Sequence, residues 1–178
     1  MKKAVLMLLL GFFAINSYAQ AGDLTIGPKG SYILKYPGFT YGLDVSYQLS
    51  DPLEITLSGM MNPQIKTTDK DYKDPTYDRN ISIYGGNLDL HFYLLNQETW
   101  GMGPAIGFQC ASFKVKDPNL NDYVEDEGIA YGVNMGWHIR AELTENLKLN
   151  GGWSYTSATE YFSHHTFYLG IGYTFNLF

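Results

Sequence analysis

The sequence predicts an all-β fold, an eight-stranded antiparallel up-and-down transmembrane β-barrel, and three observations carry this prediction. Residues 39–49 alternate without exception between apolar side chains, such as Phe39 and Leu43, and polar or small ones. This is the side-chain period of a strand with one apolar face. Segments of this kind are joined by connections that alternate between short and long. Finally, Tyr, Phe and Gly occur 15, 10 and 19 times while charged residues make up 17%, a composition typical of β-structure.

The first residues of the chain have the composition of a secretory signal peptide. Two lysines precede a short apolar stretch at 4–15, and a small-x-small cleavage site ends at Ala19. The apolar stretch is shorter than the about 20 residues that a spanning helix needs. We therefore expect a signal peptide at 1–19 and one outer-membrane β-barrel domain at 20–178.

Eight segments of the remaining chain are predicted as strands. They lie at about 24–34, 39–49, 53–61, 81–95, 100–115, 128–143, 147–156 and 165–177. The tight connections lie at 50–52, 96–99 and 144–146. The long, polar connections lie at 62–80, 116–127 and 157–164. Every second connection of an up-and-down barrel lies at the same end, so we expect the tight turns and both termini at the periplasmic end. Pro28 and Pro104 cannot donate to a ladder, and a bulge or a late strand start is expected at both.

The strand directions place aromatic side chains near both rims of the barrel. The predicted outer part of this aromatic girdle comprises Tyr32, Phe39, Tyr41, Tyr84, Tyr131, Trp153, Tyr155 and Phe167. The predicted inner part comprises Tyr47, Phe92, Trp100, Tyr173 and Phe175. Aliphatic side chains fall between the two parts, which is typical of a lipid-facing surface. The alternative is a water-soluble barrel of lipocalin type, whose apolar face points inward. Against it, the other face consists of Gly, Ser, Thr and Asn with few charges.

The same alternation assigns charged side chains to the barrel interior. The predicted interior charge network comprises Lys29, Asp44, Glu54, Asp89, His91, His138, Arg140, Glu142 and Lys148. An eight-stranded barrel is just wide enough inside for side chains, and enclosed charges must be paired and hydrogen-bonded. We expect a plug of salt bridges, with a narrow, gated water or ion path as the alternative. No metal is expected, because the two histidines have no tight ligand spacing.

The chain resembles a known family in its signal peptide, its eight-strand layout and its last segment, FYLGIGYTFNLF at 167–178. It is similar to the small eight-stranded outer-membrane barrels of the OmpX/OmpA-like family, over about Asp23 to Phe178. The resemblance implies a location in the outer membrane of a Gram-negative cell envelope. It also implies that the family's barrel-insertion machinery reads an aromatic-terminated last strand. The predicted insertion signal comprises Ile171, Tyr173, Phe175 and Phe178. Phe178 is out of phase with the alternating set, so which residue ends the signal stays open.

The sequence constrains the function less than the fold. The formal net charge is −6, which argues against a nucleic-acid partner because such a partner needs a basic surface. The family that the chain resembles includes structural proteins, adhesins, narrow channels and a few enzymes. We expect a monomer without a cofactor, in contact with outer-membrane lipid and lipopolysaccharide. Its role would be structural or in surface interactions through the longer loops, with a porin-like channel as the alternative.

A less favoured alternative is an outer-leaflet lipid-modifying enzyme. Barrels of that kind use a serine, a histidine and an acid, and Glu160, Ser163, His164 and His165 cluster near the last outer loop. A hydroxyl nucleophile needs a base held against it by a third group. Residues that are adjacent in an extended segment point in different directions, so no catalysis is expected.

Overall fold

The computed structural model describes residues 22–34, 38–68, 78–117, 123–159 and 163–176. The strands are β1 (Asp23–Ile33), β2 (Gly38–Ser50), β3 (Leu53–Thr68), β4 (Asp78–Phe92), β5 (Leu95–Gln97), β6 (Trp100–Asp117), β7 (Tyr123–Thr144), β8 (Leu147–Ala158) and β9 (His164–Asn176). Eight of these are long, and β5 is a three-residue strand in the hairpin that leads into β6. Within the described ranges, no helix is long and apolar enough to cross a membrane.

The eight long strands form one closed barrel. Each pairs antiparallel with the next long strand, β4 pairs with β6, and β1 pairs with β9 to close the sheet. The predicted eight-stranded antiparallel up-and-down barrel is therefore confirmed. Closure pairs the two edges that an open sheet would leave free.

The outside of the barrel is apolar and the inside is polar. Phe39 is 66% exposed, whereas the next residue, Thr40, is 2% exposed, and the same alternation continues along the other strands. A water-soluble barrel would bury the apolar face, so that alternative is wrong. The exposed apolar band is suited to hydrocarbon as its solvent.

The hairpin of β3 and β4 is longer than predicted. β3 continues to Thr68 and β4 begins at Asp78, so about half of the predicted loop at 62–80 is strand. The pairing passes a register shift between Asn62 and Ile65 and then continues. The prediction was wrong because it equated polar residues with a loop. A two-stranded extension beyond the hydrocarbon can be solvated on its outer face and needs no continuous apolar set.

The hairpin of β6 and β7 differs from the prediction in the same way. Its strands reach Asp117 and begin again at Tyr123, which leaves only 118–122 of the predicted loop. At the opposite end, β4 ends at Phe92 rather than at residue 95. The strands β3, β4, β6 and β7 therefore extend past the outer ends of the other four.

The two prolines do not form bulges. The register of β1 with β2 continues unbroken through Pro28, and that of β6 with β7 through Pro104. Each proline lies where the pairing of its strand with the other neighbouring strand is interrupted. No β9 partner is paired between Ile26 and Lys29, and the β4–β6 ladder ends at Ala105. The missing N–H groups are therefore accommodated without an extra residue.

Candidate functional site in the barrel interior

Three groups of charged side chains lie inside the barrel at successive levels from the periplasmic end. At the lowest level, the Lys148 ammonium lies 3.2 Å from an Asp23 carboxylate oxygen and 3.8 Å from a Glu142 oxygen. The Lys148 side chain is 5% exposed, so its charge depends on these partners. Sequence reasoning missed Asp23, the first residue of β1, because barrel closure brings it next to β8.

The next level is built around Glu54, which is 3% exposed. One carboxylate oxygen lies 3.6 Å from an Arg140 nitrogen, and the other lies 3.2 Å from His91 Nδ1. The Tyr93 hydroxyl donates to Glu54 Oε1 at 3.2 Å. Tyr93 is held there because its backbone N–H donates to the Pro52 carbonyl at 2.7 Å, which ties the chain after β4 to the β2–β3 turn. Side chains from β4, from the residues after β4 and from β7 thus converge on the Glu54 carboxylate of β3.

Arg140 connects this carboxylate to the turns at the periplasmic end. Its guanidinium donates to Gln48 Oε1 and, at 3.2 Å, to Asn96 Oδ1. It also lies 4.4 Å from the centre of the Tyr93 ring, within cation–π range. Gln48, Asn96 and Tyr93 were absent from the predicted network. Gln48 shares the inward parity of Asp44, and Tyr93 shares that of Asp89 and His91, whereas Asn96 lies in a predicted turn, where no sequence period places it.

Two histidines are stacked beside Glu54. The rings of His91 and His138 lie 3.9 Å apart with 17° between their planes, and His138 Nδ1 is 2.9 Å from the Tyr168 hydroxyl. Ligand atoms of Glu54, His91 and His138 lie within 4.8 Å of one another, a proximity that sequence spacing did not suggest. A metal binds a histidine nitrogen in the plane of the ring, and nearly parallel stacked rings do not direct their lone pairs at one point. Because Arg140 also faces the carboxylate, the arrangement favours a stacked pair over a metal centre.

The third level surrounds Lys29 and Asp44. The Lys29 ammonium lies 2.8 Å from an Asp44 oxygen and donates to Ser58 Oγ at 2.7 Å. Asp89 accepts a hydrogen bond from Asn134 at 3.0 Å, and it has no cation within 4.0 Å among the described residues. Over the three levels, three cations face five carboxylates. The carboxylates of this described interior therefore outnumber its permanent cations by two.

An apolar cluster lies inside the outer end of the barrel, and we call it the apolar cap. Its buried members are Ile33, Ile81, Ile83, Ala111, Phe113 and Ala130, with Met60, Val115 and Ala158 packed against them. Between the cap and His91 lies a cavity of about 40 Å³, enough for a few water molecules. Sequence reasoning missed the cap, although Ile81 and Ile83 share the inward parity of Asp89.

The aromatic side chains of the predicted girdle lie on the outer surface to different degrees. The largely exposed ones are Phe39, Tyr41, Tyr84, Tyr131, Trp153, Phe167, Tyr173 and Phe175. The half-buried ones are Tyr32, Tyr47, Phe92, Trp100 and Tyr155. Of the predicted insertion signal, Ile171, Tyr173 and Phe175 point outward from β9. Phe178 lies outside the described residues.

The candidate catalytic cluster does not assemble in the described part of the chain. The Ser163 hydroxyl accepts a hydrogen bond from the Ala158 backbone N–H at 3.1 Å and donates one to the Ala158 carbonyl at 3.3 Å. His164 is buried inside the barrel, whereas His165 is exposed and stacks on Trp153 with ring centres 5.6 Å apart. Glu160 lies outside the described residues. The two histidines therefore point to opposite faces of β9.

Comparisons with known proteins agree with this architecture. The fold is similar to that of a major outer membrane protein from Thermus thermophilus, at 15% sequence identity and a TM-score of 0.61, over 87% of this chain and 100% of that one. It is similar to the N-terminal β-barrel domain of Pseudomonas aeruginosa OprF, at 18% identity and a TM-score of 0.56, over 87% of this chain and 98% of that one. It is also similar to Ail, the attachment invasion locus protein of Yersinia pestis, at 14% identity and a TM-score of 0.52, over 87% of this chain and 99% of that one. The comparison with curated proteins gives no match. Residues 5–175 match the model of the outer membrane protein beta-barrel domain, and the chain belongs to this family of outer-membrane proteins.

Proposed function

We propose that the protein is a closed, monomeric structural barrel of the outer membrane, without catalysis and without a solute channel. The single observation that carries this proposal is that side chains fill the interior at two levels. Ion pairs fill it toward the periplasmic end, and the apolar cap fills it at the outer end. The outer surface would contact outer-membrane lipid and lipopolysaccharide, and the long hairpins would be exposed to the outside.

The two fillings oppose conduction for different physical reasons. An ion that leaves the cavity outward meets Ile83 and Phe113, and an apolar constriction resists wetting. An ion that leaves toward the periplasm meets the Glu54–Arg140 pair, and separating an enclosed pair leaves each charge uncompensated. Water exchange through side-chain motion is compatible with both obstacles, whereas steady ion flow is not.

Planar-bilayer conductance of the purified full-length barrel tests the proposal. We expect no discrete current steps from the wild type, and none from an outward control variant, Leu88→Ala. Steps in the wild type that disappear or change size with Asp89→Asn or Arg140→Gln would overturn the proposal. The interior would then be a path rather than a plug.

A narrow cation-selective channel is the second candidate, and the excess of carboxylates over permanent cations in the described interior favours it. Asp89 has a hydrogen-bonded amide beside it but no cation within ion-pair distance among the described residues. A pore of this kind would show a reversal potential of cation selectivity in a KCl gradient, weakened by Asp89→Asn. Silent bilayers at high protein loading would exclude it.

The export and location of the chain are tested separately. We propose that residues 1–19 are removed during export, so intact-mass analysis of the mature protein should place its first residue at Gln20. The protein should fractionate with the outer membrane, and external protease should cleave in the connection at 69–77. Recovery in the periplasm without detergent would contradict the membrane proposal.

The absence of catalysis is tested on the membrane itself. Since a lipid-modifying barrel would alter the outer leaflet, we expect unchanged lipid A mass spectra after deletion and after overexpression of the protein. A mass change that depends on Ser163 would overturn this part of the proposal.

A further inference from the structure

The outward surface of β4, β6 and β7 changes its chemistry step by step toward the outer end. Leu88 and Phe108 are paired and about half exposed, and they belong to the apolar band. Further out, Tyr84 pairs with Ser112, and Ile129 is opposite Ser112 on the other side. The next levels of the same face carry hydroxyl groups and then ammonium groups.

Two lysines complete this gradient. Lys114 lies opposite Ser82 of β4 and Glu127 of β7, and Lys116 lies opposite Asn80. Val115 between them packs toward the apolar cap, so both lysines point outward. Of the cationic side chains whose burial the structure describes, Lys29, Arg140 and Lys148 lie inside the barrel, whereas Lys114 and Lys116 lie on its outer surface.

Among the described residues, the exposed charged side chains differ between the two ends of the barrel. The exposed charged side chains of the described periplasmic turns are Asp51, Glu98 and Glu145. At the outer end, Lys114 and Lys116 stand directly above an exposed apolar surface. Glu127 lies beside Lys114, and the two lysines give the described part of the outer end outward-facing cations that the described periplasmic turns lack.

The lysines remain available for a ligand. The Lys114 ammonium lies 3.1 Å from a Glu127 oxygen, but these side chains are 44% and 65% exposed, and exposed pairs of this kind are weak. An ammonium has three donors, so one contact with a carboxylate does not saturate it. Lys114 and Lys116 line a groove together with Ser82, Tyr84, Ser112 and Glu127, so two cations and one carboxylate face it.

We propose that this groove binds the phosphorylated headgroup of an outer-leaflet glycolipid. Lys114 and Lys116 face the phosphate, the serine hydroxyls face the sugar, and Tyr84 and Ile129 pack against the start of the acyl chains. Ammonium groups bind phosphate as point charges. A membrane lipid fits better than a soluble anion, because the apolar surface continues without a break below the groove.

This inference rests on the proposed function in one respect, the insertion of the barrel with its long hairpins outside. It does not depend on whether the interior conducts. Each lysine near a charged membrane surface contributes about a fivefold factor in affinity. Lys114→Gln/Lys116→Gln should therefore weaken binding about 25-fold.

Native mass spectrometry of the full-length barrel in detergent micelles, titrated with diphosphorylated lipid A, tests the inference. The matched control is Gln97→Glu/Thr99→Glu, which lowers the net charge by the same two units at the opposite end. We expect the lysine variant to lose binding, the control to keep it, and Lys114→Arg/Lys116→Arg to retain most of it. Dephosphorylated lipid A should bind the wild type as weakly as it binds the lysine variant.

Three results would overturn the inference. They are equal binding by the wild type and the lysine variant, equal binding of phosphorylated and dephosphorylated lipid A, and binding of inorganic pyrophosphate as tight as that of the glycolipid. Heat-modifiable mobility and outer-membrane fractionation are measured on every variant. A wild type that inserts but binds without regard to phosphate contradicts this inference alone, whereas a wild type that fails to insert contradicts the proposed function.

Discussion

Replacing Arg140 by alanine removes the cation that faces the most enclosed carboxylate of the described interior. Glu54 is 3% exposed and Arg140 is 7% exposed. Without the guanidinium, Glu54 keeps its contacts with His91 and Tyr93, each at 3.2 Å. Neither of these partners carries a permanent charge. We therefore expect Arg140→Ala to leave a buried carboxylate without adequate compensation.

The magnitude follows from two independent considerations. Removing one partner of a buried ion pair costs about 3–5 kcal/mol of unfolding free energy. Coulomb's law at an effective dielectric constant of about 20 gives about 5 kcal/mol of attraction across the 3.6 Å between Glu54 and Arg140. The oxygens of Gln48 and Asn96 also lose a donor. An overall loss of about 3–5 kcal/mol is expected.

Urea unfolding of the barrel in phospholipid vesicles, followed by tryptophan fluorescence, measures this loss. A double-mutant cycle of Glu54→Gln and Arg140→Gln should give a coupling energy of about 2 kcal/mol or more, because the neutral pair leaves no buried charge. Lys114→Ala, in a half-exposed ion pair, is the control and should cost less than about 1 kcal/mol. A loss below about 1 kcal/mol for Arg140→Ala, or additive single losses in the cycle, would refute the reasoning.

Three further outcomes are expected. Asp44→Asn should cost about 3 kcal/mol in the same unfolding assay, because Lys29 loses the carboxylate at 2.8 Å; an unchanged midpoint would contradict a buried pair. Gly42→Ala should cost about 1–3 kcal/mol of unfolding free energy, because the added Cβ would meet the Gly59 carbonyl oxygen. Gly59→Ala should be neutral, because a Cβ added there has no atom within 4 Å. Equal losses for the two variants would contradict the close approach of the two backbones at Gly42. Cys110 is exposed on the outer surface, so a water-soluble maleimide should not label it in vesicles until the barrel unfolds, and rapid labelling of the folded protein would place it outside the hydrocarbon.

The sequence was sufficient for the barrel because a transmembrane strand repeats one simple rule. Phe39 and Thr40 differ in exposure as strictly as their chemistry predicts, and the same parity orients Lys29 and Asp44 inward. The alternation of side chains does not, however, determine which charged residues form ion pairs. Lys148 meets Asp23 across 125 positions of chain, and this pairing depends on the register of β8, β9 and β1 after closure.

The apolar cap is a feature that the alternation of side chains could have predicted, although sequence reasoning missed it. Ile83 and Phe113 fall on the inward face of their strands, but the interior was assumed to be polar throughout. That assumption holds where the barrel crosses hydrocarbon, since the apolar residues there face outward. It does not hold at the outer end, where inward side chains of the long hairpins can bury one another without competing with lipid.

The interior charges also distinguish registers that the lipid-facing surface cannot. A slip of two residues between neighbouring strands keeps every apolar side chain outward, because the side-chain period is two. Hydrocarbon would accept that slipped barrel as readily as the native one. The same slip moves a partner by about 6.6 Å along the strand, which would separate the Lys29 ammonium from Asp44 and Arg140 from Glu54. Each enclosed charge would then lack its counter-ion at a cost of several kcal/mol. The paired charges therefore select one register among those that the outer surface allows.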